Sequence, residues 1–357
     1  MVSRRLSSDN VATVTRSNLS RSVVVLALVF AAAVSARVAS AQETAAPSPP
    51  PFADWLADLR KEALASGISQ QTVDLALTGV EPIPIVVQRD QTQPERTLTI
   101  DQYLKQHVGR KTVRTAREMA RRHAAVLKRV SAQYGVPKAI IVAVWGLESN
   151  FGRFSGVRPT IASLVTLAYD NRRAAMFRDE LFDALRILDR GDIDLPKMKG
   201  TWAGAMGQPQ FMPSSYLKYA EDFDRDGARD IWGSPADVFA SIANFLRQSG
   251  WTPGARWGVA VSLPKAGAGK IEAAAPLRAA GCEAIRQMTG DLTLARWRAL
   301  GVRIRGRQAL PKATAQASLV RAGTRSFLVF DNYAVLLQYN CAQAYALAVG
   351  LLADQIQ

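Results

Sequence analysis

The sequence predicts a mainly α protein that carries a small strand-rich subdomain. Apolar residues recur at helical spacing through much of residues 52–250, and again from Ala334 to Ala353. Between these stretches lie three short runs, Trp257 to Leu263, Gly301 to Gly306 and Ser326 to Phe330. They are β-branched or aromatic and flanked by turn formers, which is the pattern of short strands. A length of 357 residues is ample for a buried core.

Residues 1–41 read as a signal peptide. Arg4, Arg5, Arg16 and Arg21 precede the apolar stretch Val23 to Val34, which is too short to span a bilayer comfortably. Ala39-Ser40-Ala41 supplies the small residues a signal peptidase reads, so cleavage is expected before Gln42. An uncut membrane anchor is the alternative. No cysteine stands at the cleavage point to take a lipid. The expectation is an exported, periplasmic protein. Residues 42–51 follow as a linker, because Ala45-Ala46-Pro47-Ser48-Pro49-Pro50-Pro51 cannot form helix or sheet ladders. No second linker appears after Phe52, so residues 52–357 are expected to form one module.

Within that module Phe52 to Leu77 carries Trp55, Leu56, Leu59, Ala63 and Leu64 at helical spacing. Tyr103 to Tyr134 reads as one long basic amphipathic helix, with His107 and His123 on its surface. Pro137 can open the next helix as its first residue, and that helix runs to Glu148. More helix is expected at Thr160 to Tyr169, Ala174 to Arg190, Pro213 to Tyr219 and Ala236 to Gly250.

The formal charge is +15. Residues 1–41 hold five arginines against one aspartate, so the mature chain keeps +11. Such an excess suits an anionic partner, with simple solubility as the alternative. No zinc-finger spacing and no compact basic helix interleaved with aromatics is present. An acidic wall polymer therefore fits an exported protein better than nucleic acid. Cys282 and Cys341 are the only cysteines. An oxidising compartment allows them to pair, but sequence alone does not show that they approach. Neither has a histidine near it in sequence, so a catalytic thiol is not expected.

Two segments carry chemistry. Glu148 closes the apolar run Ala139 to Leu147, sharing a helix face with Trp145, Val144 and Ile141. An apolar face and the negative end of a helix dipole both disfavour its charged form. A carboxyl group that keeps its proton near neutrality can donate it to a leaving group. A buried glutamate held by a neighbour for architectural reasons would look the same. Fifty residues later, Thr201-Trp202-Ala203-Gly204-Ala205-Met206-Gly207-Gln208-Pro209-Gln210-Phe211-Met212-Pro213-Ser214-Ser215-Tyr216 interleaves small residues with aromatics and amides. Glycines let another chain come close, and aromatic faces and amides suit sugars. The alternative is a glycine-rich turn packed beneath a helix.

Together, Glu148-Ser149-Asn150-Phe151-Gly152 and Gly204 to Tyr216 resemble the membrane-bound lytic murein transglycosylase B family. The likeness runs from about Phe52 to Ala348 and includes Tyr339-Asn340 and Tyr345. It implies a lysozyme-like α core at about 136–256, an additional helical domain, and the strand-rich subdomain at about 257–330. It also implies that Glu148 alone protonates the bond between N-acetylmuramic acid and N-acetylglucosamine in peptidoglycan, then acts as base. The sugar's own C6 hydroxyl would attack C1 and leave a 1,6-anhydromuramoyl end. Ordinary glycosidases need two carboxylates; no second one announces itself beside Glu148 in sequence, although Asp170 or another distant acid could still fold in. By the same resemblance Gln210 and Tyr339 line the sugar sites, with Thr201, Asn340 and Tyr345 behind them. Thr201 stands where a serine can occur, and Phe245 where a tyrosine can.

Asp222-Phe223-Asp224-Arg225-Asp226-Gly227 has the opening of an EF-hand loop, although its twelfth position is Gly233. A solvated acidic turn is the plain reading. The resemblance implies a longer calcium loop, with Asp222, Asp224, Asp226 and the Ala228 carbonyl as ligands and Asp237 closing the site. Its role would be structural, and no cofactor is expected for catalysis. The expected partners are peptidoglycan glycan strands and wall-synthesis proteins, not nucleic acid, with the chain as a monomer. A hydrolytic muramidase and a non-catalytic peptidoglycan-binding scaffold are the competing readings.

Overall fold

The computed structural model describes residues 50–92, 98–170, 172–265, 268–306 and 310–356. The expected signal peptide and most of the expected linker lie outside the described residues. The described residues are mainly helical with a two-stranded ladder and one five-stranded sheet, the latter in the stretch whose patterning predicts strands.

The first helical stretch is two helices, α1 (Phe52–Ala65) and α2 (Gln70–Leu77), separated at Ser66-Gly67. The Ser69 side chain caps α2 by accepting from the Thr72 N–H. A short α3 (Pro84–Thr92) follows, which the sequence reading missed. Its Asp90 is almost fully buried and pairs with both Arg172 and Arg173.

The long helix expected from Tyr103 to Tyr134 is three helices: α4 (Ile100–His107), α5 (Arg110–Arg122) and α6 (Ala124–Tyr134). The breaks fall at extended Gly109 and at His123, whose φ of −104° and ψ of 21° leave the helical region. Size explains them. A straight helix of that length would reach about 48 Å, whereas a 12-residue partner offers about 18 Å to pack on. That partner is α7 (Lys138–Ser149), whose residues Ala139 to Trp145 are all buried. Breaking the chain lets α5 and α6 both pack against it. Pro137 stands just before the first helical residue, as the N-cap of α7.

Beyond α7, a two-residue ladder pairs β1 (Arg158–Pro159) with β2 (Lys199–Gly200). Between them run α8 (Thr160–Tyr169) and α9 (Ala174–Asp189), packed on each other. α10 (Pro213–Tyr219) lies on α9, and α11 (Pro235–Gln248) lies on α6 and α7.

The strand-rich part contains β3 (Gly258–Ser262), α12 (Ala268–Ala274), α13 (Glu283–Arg286), β4 (Leu292–Thr293), α14 (Leu294–Ala299), β5 (Arg303–Ile304), β6 (Gln316–Ala322) and β7 (Arg325–Val329). Its five-stranded sheet has the order β4-β6-β7-β3-β5, with antiparallel pairs throughout. Strand β6, absent from the sequence reading, forms a hairpin with β7. A second core of Val259, Val261, Leu319 and Leu328 gathers around fully buried Trp297, whose indole N–H donates to the Ala317 carbonyl at 2.8 Å.

The chain then returns to the helical part through α15 (Asp331–Tyr339) and α16 (Gln343–Ile356). These are one helical stretch in the sequence pattern but bend by 117° at residues 340–342. The return places α16 against α4, α5 and α7. Cys282 and Cys341 are joined in a disulfide with their Cα atoms 6.4 Å apart.

Candidate active site

Glu148 sits in the last turn of α7, and the chain reverses immediately after it. Asn150, Phe151 and Gly152 follow one another at φ values of 50°, 59° and 79°, all in the left-handed region. Such a run is rare for a residue as bulky as phenylalanine. Ser149 secures it, donating its hydroxyl to the Trp145 carbonyl at 2.8 Å and accepting the Gly152 N–H at 3.0 Å. The Phe151 ring then folds back over Gly146, where a Cβ would stand 2.5 Å from a ring carbon. Gly152 is equally constrained, since its own Cβ would lie 2.7 Å from the Gln208 side-chain oxygen.

Gln208 was not singled out from the sequence, yet it joins the two motifs. Its side-chain oxygen accepts the Trp145 indole N–H at 2.7 Å, and its amide donates to the Trp232 carbonyl at 2.7 Å. Trp145 is less than one turn before Glu148 on α7, so the glycine-rich segment is keyed to the same helix turn. The segment is itself closed by paired bonds between the Met206 and Phe211 backbones, at 2.7 and 3.0 Å.

Glu148 remains half-buried. Burial pushes its carboxyl up to about 7, and the Tyr345 hydroxyl beside it offsets part of that rise. Three phenols face it. Tyr103 comes from α4, and burial with the nearby Glu148 charge pushes it up to about 12. Tyr339 from α15 and Tyr345 from α16 are raised well above the usual range by burial first and by the Glu148 charge second. The Tyr345 hydroxyl makes no standard hydrogen bond among the described residues, which leaves its proton free to turn toward the carboxylate. Among the described residues, no second carboxylate acts on Glu148.

Of the residues expected to line the sugar sites, Tyr339 and Tyr345 stand beside Glu148, their rings 6.3 Å apart and inclined by 16°. The Tyr339 hydroxyl donates to the Pro209 carbonyl at 2.7 Å, so this residue offers a ring face rather than a free hydroxyl. It continues an aromatic cluster with Phe245, Tyr219 and Phe211, in which Phe245 lies 4.6 Å from both Tyr219 and Tyr339. The missing hydroxyl at Phe245 leaves no gap there, since that residue is buried among rings. Gln210, at a φ of 55°, ties its amide to the Gly207 carbonyl at 2.6 Å and keeps its side-chain oxygen free of that bond. The Thr201 hydroxyl accepts the Ala205 N–H at 3.2 Å, making it a brace of the glycine-rich turn. Asn340 is exposed at the corner between α15 and α16.

Tyr103 was missed because nothing local marks it: the docking of α4 on α16 brings it to the site. His107, expected on the surface, is half-buried and stacks on Tyr103 at 4.1 Å. His123 is also drawn inward, edge-on to Trp145 at 5.6 Å.

The acidic loop lies elsewhere, between α10 and α11. Carboxylate oxygens of Asp222, Asp224 and Asp237 come within 4.8 Å of one another. Asp226 stays outside that group: it is exposed, and its carboxylate accepts the Ala228 N–H at 2.9 Å. Asp237 is fully buried and accepts the N–H groups of Phe223 and Asp230 at 2.7 and 3.0 Å. Burial pushes its carboxyl up to about 6 despite those bonds. A buried acid beside two more carboxylates is self-repelling unless a cation joins them, and three oxygen donors suit a hard divalent ion.

Comparison with known proteins gives a consistent picture. The family model described as Transglycosylase SLT domain matches residues 51–354. Membrane-bound lytic murein transglycosylase B of Escherichia coli strain K12 is 42% identical over 130 residues, 36% of this chain and 36% of that protein. The matched stretch thus spans about a third of that relative's length. SltB3 of Pseudomonas aeruginosa, in a crystal structure with NAG-anhNAM-pentapeptide, is 41% identical with a TM-score of 0.77, covering 85% of this chain and 79% of that chain. Slt35 of Escherichia coli, in complex with calcium, is 28% identical with a TM-score of 0.69, covering 86% and 92%.

Proposed function

This chain belongs to the transglycosylase SLT family, and from that premise we propose that it is a peptidoglycan lytic transglycosylase with Glu148 as its single catalytic carboxyl group. The observation that carries the reading is the state of Glu148. It is a carboxyl held up at about 7 by burial, still partly exposed, and faced by phenols rather than by a second acid.

The chemistry follows from that state. Protonated Glu148 gives its proton to the oxygen bridging N-acetylmuramic acid and N-acetylglucosamine, and the bond from C1 to that oxygen breaks. The N-acetyl group of the muramic acid stabilises the cationic carbon. Glu148, now a carboxylate, takes the proton of the sugar's C6 hydroxyl, whose oxygen closes onto C1. The enzyme regains its starting proton, no water is consumed, and the products are a free N-acetylglucosamine 4-hydroxyl and a 1,6-anhydromuramic end. A hydrolase would use a second carboxylate to direct water. Tyr339 and Gln210 line the sugar sites, with Tyr345 and Asn340 beside them and Thr201 bracing the loop. The enzyme is read as a monomer acting on glycan strands. Wall-synthesis proteins are candidate further partners.

Two further readings belong with this one. Asp222, Asp224 and Asp237 would hold a structural calcium ion, supported by their oxygen-only donor set and the burial of Asp237. Export by the expected signal peptide would carry the enzyme to the periplasm, where its substrate lies.

The test is mass spectrometry of the muropeptides that residues 42–357 release from isolated peptidoglycan. Products with 1,6-anhydromuramic ends are expected. Reducing ends would mean hydrolysis, and binding without release would mean a scaffold. Glu148→Gln should lower turnover by about 10³ while binding persists.

A further inference from the structure

The Cys282–Cys341 disulfide spans 59 residues of sequence, and neither half belongs to the elements that carry Glu148 or the glycine-rich loop. Its place is nevertheless specific. Cys341 lies in the corner between α15 and α16, two residues after Tyr339 and four before Tyr345. Those two tyrosines enter the site from opposite arms of the corner. Cys282 is the N-cap of α13 in the strand-rich part. A second link runs parallel to the disulfide, for the Gln343 amide donates to the Ala284 carbonyl at 2.6 Å, and the Tyr333 hydroxyl donates to the Gln343 side-chain oxygen. Two links therefore tie the corner to the strand-rich part.

Asn340 and Cys341 are exposed, so within the corner itself Ala342 alone packs against the core. The helices on either side are different: Tyr333, Leu336, Leu347 and Val349 are fully buried. Loss of the disulfide would leave the Gln343–Ala284 bond as the remaining tie, and would free the exposed part of the corner to move without releasing the helices. Movement there matters, because a displacement near 1 Å of a positioning group can cost about a hundredfold in rate.

We propose that the Cys282–Cys341 disulfide is a positioning device that keeps Tyr339 and Tyr345 closed around Glu148, so that breaking it slows the reaction in an enzyme that stays folded. The inference rests on the reading of Glu148 as the catalytic acid. Exposure of Cys341 leaves the bond open to attack by an external thiol, and reduction opens the disulfide to two thiols at the expense of that reductant. The groups facing Glu148 are Tyr103 from α4, Tyr339 from α15 and Tyr345 from α16. A loosened corner admits water to the carboxyl, which favours its charged form. The pH above which kcat/KM falls should then move downward.

The experiment compares oxidised wild type, wild type reduced with a phosphine, and Cys282→Ser/Cys341→Ser. Initial rates of anhydromuropeptide release are measured from pH 5 to 9, with circular dichroism at the assay temperature. The expected result is a folded double variant and a folded reduced enzyme, each with kcat lower by about tenfold or more and an alkaline limb displaced toward acid. Loss of a cross-link that only stabilises would lower Tm and leave both readouts unchanged at a temperature well below Tm. Full rate with an unmoved limb overturns the proposal. Loss of the fold in the double variant and the reduced enzyme overturns it as well, because the disulfide would then hold the whole structure. Oxidised wild type that releases no anhydro product overturns the underlying functional reading, a result distinct from both.

Discussion

A carboxyl group at the end of a buried helix can ease its situation in two ways, by keeping its proton or by finding a partner for its charge. Burial shifts Glu148 toward its protonated form, with the Tyr345 hydroxyl giving partial relief to the charged form. The consequence for stability has a definite sign. Its folded pKa, about 7, lies above the ordinary value of 4.5, so the native state binds this proton more tightly than the unfolded chain does. Stability from this group is fully present below about 4.5 and is lost as pH rises toward 7. Glu148→Gln cannot ionise, so its Tm should exceed that of wild type at pH 8 and match it near pH 4. Differential scanning calorimetry at the two pH values checks this, and equal Tm values at pH 8 would mean that burial does not raise the Glu148 pKa. Activity follows the same titration, with kcat/KM falling as pH rises through about 7. Much of this residue's state was legible in sequence, since a glutamate closing nine apolar residues advertises its cost. The phenols were only partly legible: Tyr339 and Tyr345 came from a family resemblance, and Tyr103 carried no signal.

The elements around the site show how backbone constraint positions side chains. The left-handed run after α7 exists because Phe151 folds over Gly146 and Gly152 makes room for Gln208. Gly146→Ala pushes a methyl group into the Phe151 ring, an overpacking that should cost about 1–3 kcal/mol in urea unfolding. Activity should fall further than stability alone explains, because the turn that aims Glu148 moves with Phe151. The acidic loop between α10 and α11 is the second such element. Calorimetric titration should show calcium binding to wild type and strongly weakened binding to Asp237→Asn, and a chelator should lower the wild-type Tm. A Tm indifferent to both calcium and chelator would count against the ion. Here the alternating aspartates were visible in sequence, but their grouping was not. Asp226 has the right spacing yet stays outside the group, while Asp237 reaches in from α11.

For the molecule as a whole, the site is assembled from distant stretches of chain. Glu148 belongs to α7, Gln210 to the glycine-rich loop, Tyr103 to α4, and Tyr339 and Tyr345 to the two arms of the α15–α16 corner. Long-range ties keep these stretches in register. Besides the disulfide, buried Asp90 binds α3 to Arg172 and Arg173 in the turn between α8 and α9. Asp90→Asn leaves two cations facing each other without their common counter-charge. It should lower the unfolding free energy by about 3 kcal/mol, as measured by denaturant titration, with no change in the pH profile of the surviving activity. A loss below 1 kcal/mol would show that solvent already screens the cluster.

Local order was therefore open to reading from residues alone: which stretches are helical, where short strands lie, and that Glu148 and the glycine-rich segment carry the chemistry. Periodicity reports which face of an element is apolar, and an apolar carboxyl run or an alternating aspartate run reports its own energetic strain. What packs against that face is a property of the assembled chain. The limited length of α7 goes with the division of residues 100–134 into three helices, the docking of α4 on α16 brings in Tyr103, and the return of the chain through the strand-rich part brings Cys341 to Cys282. Each depends on the size and position of a distant partner, and spacing along the sequence contains neither.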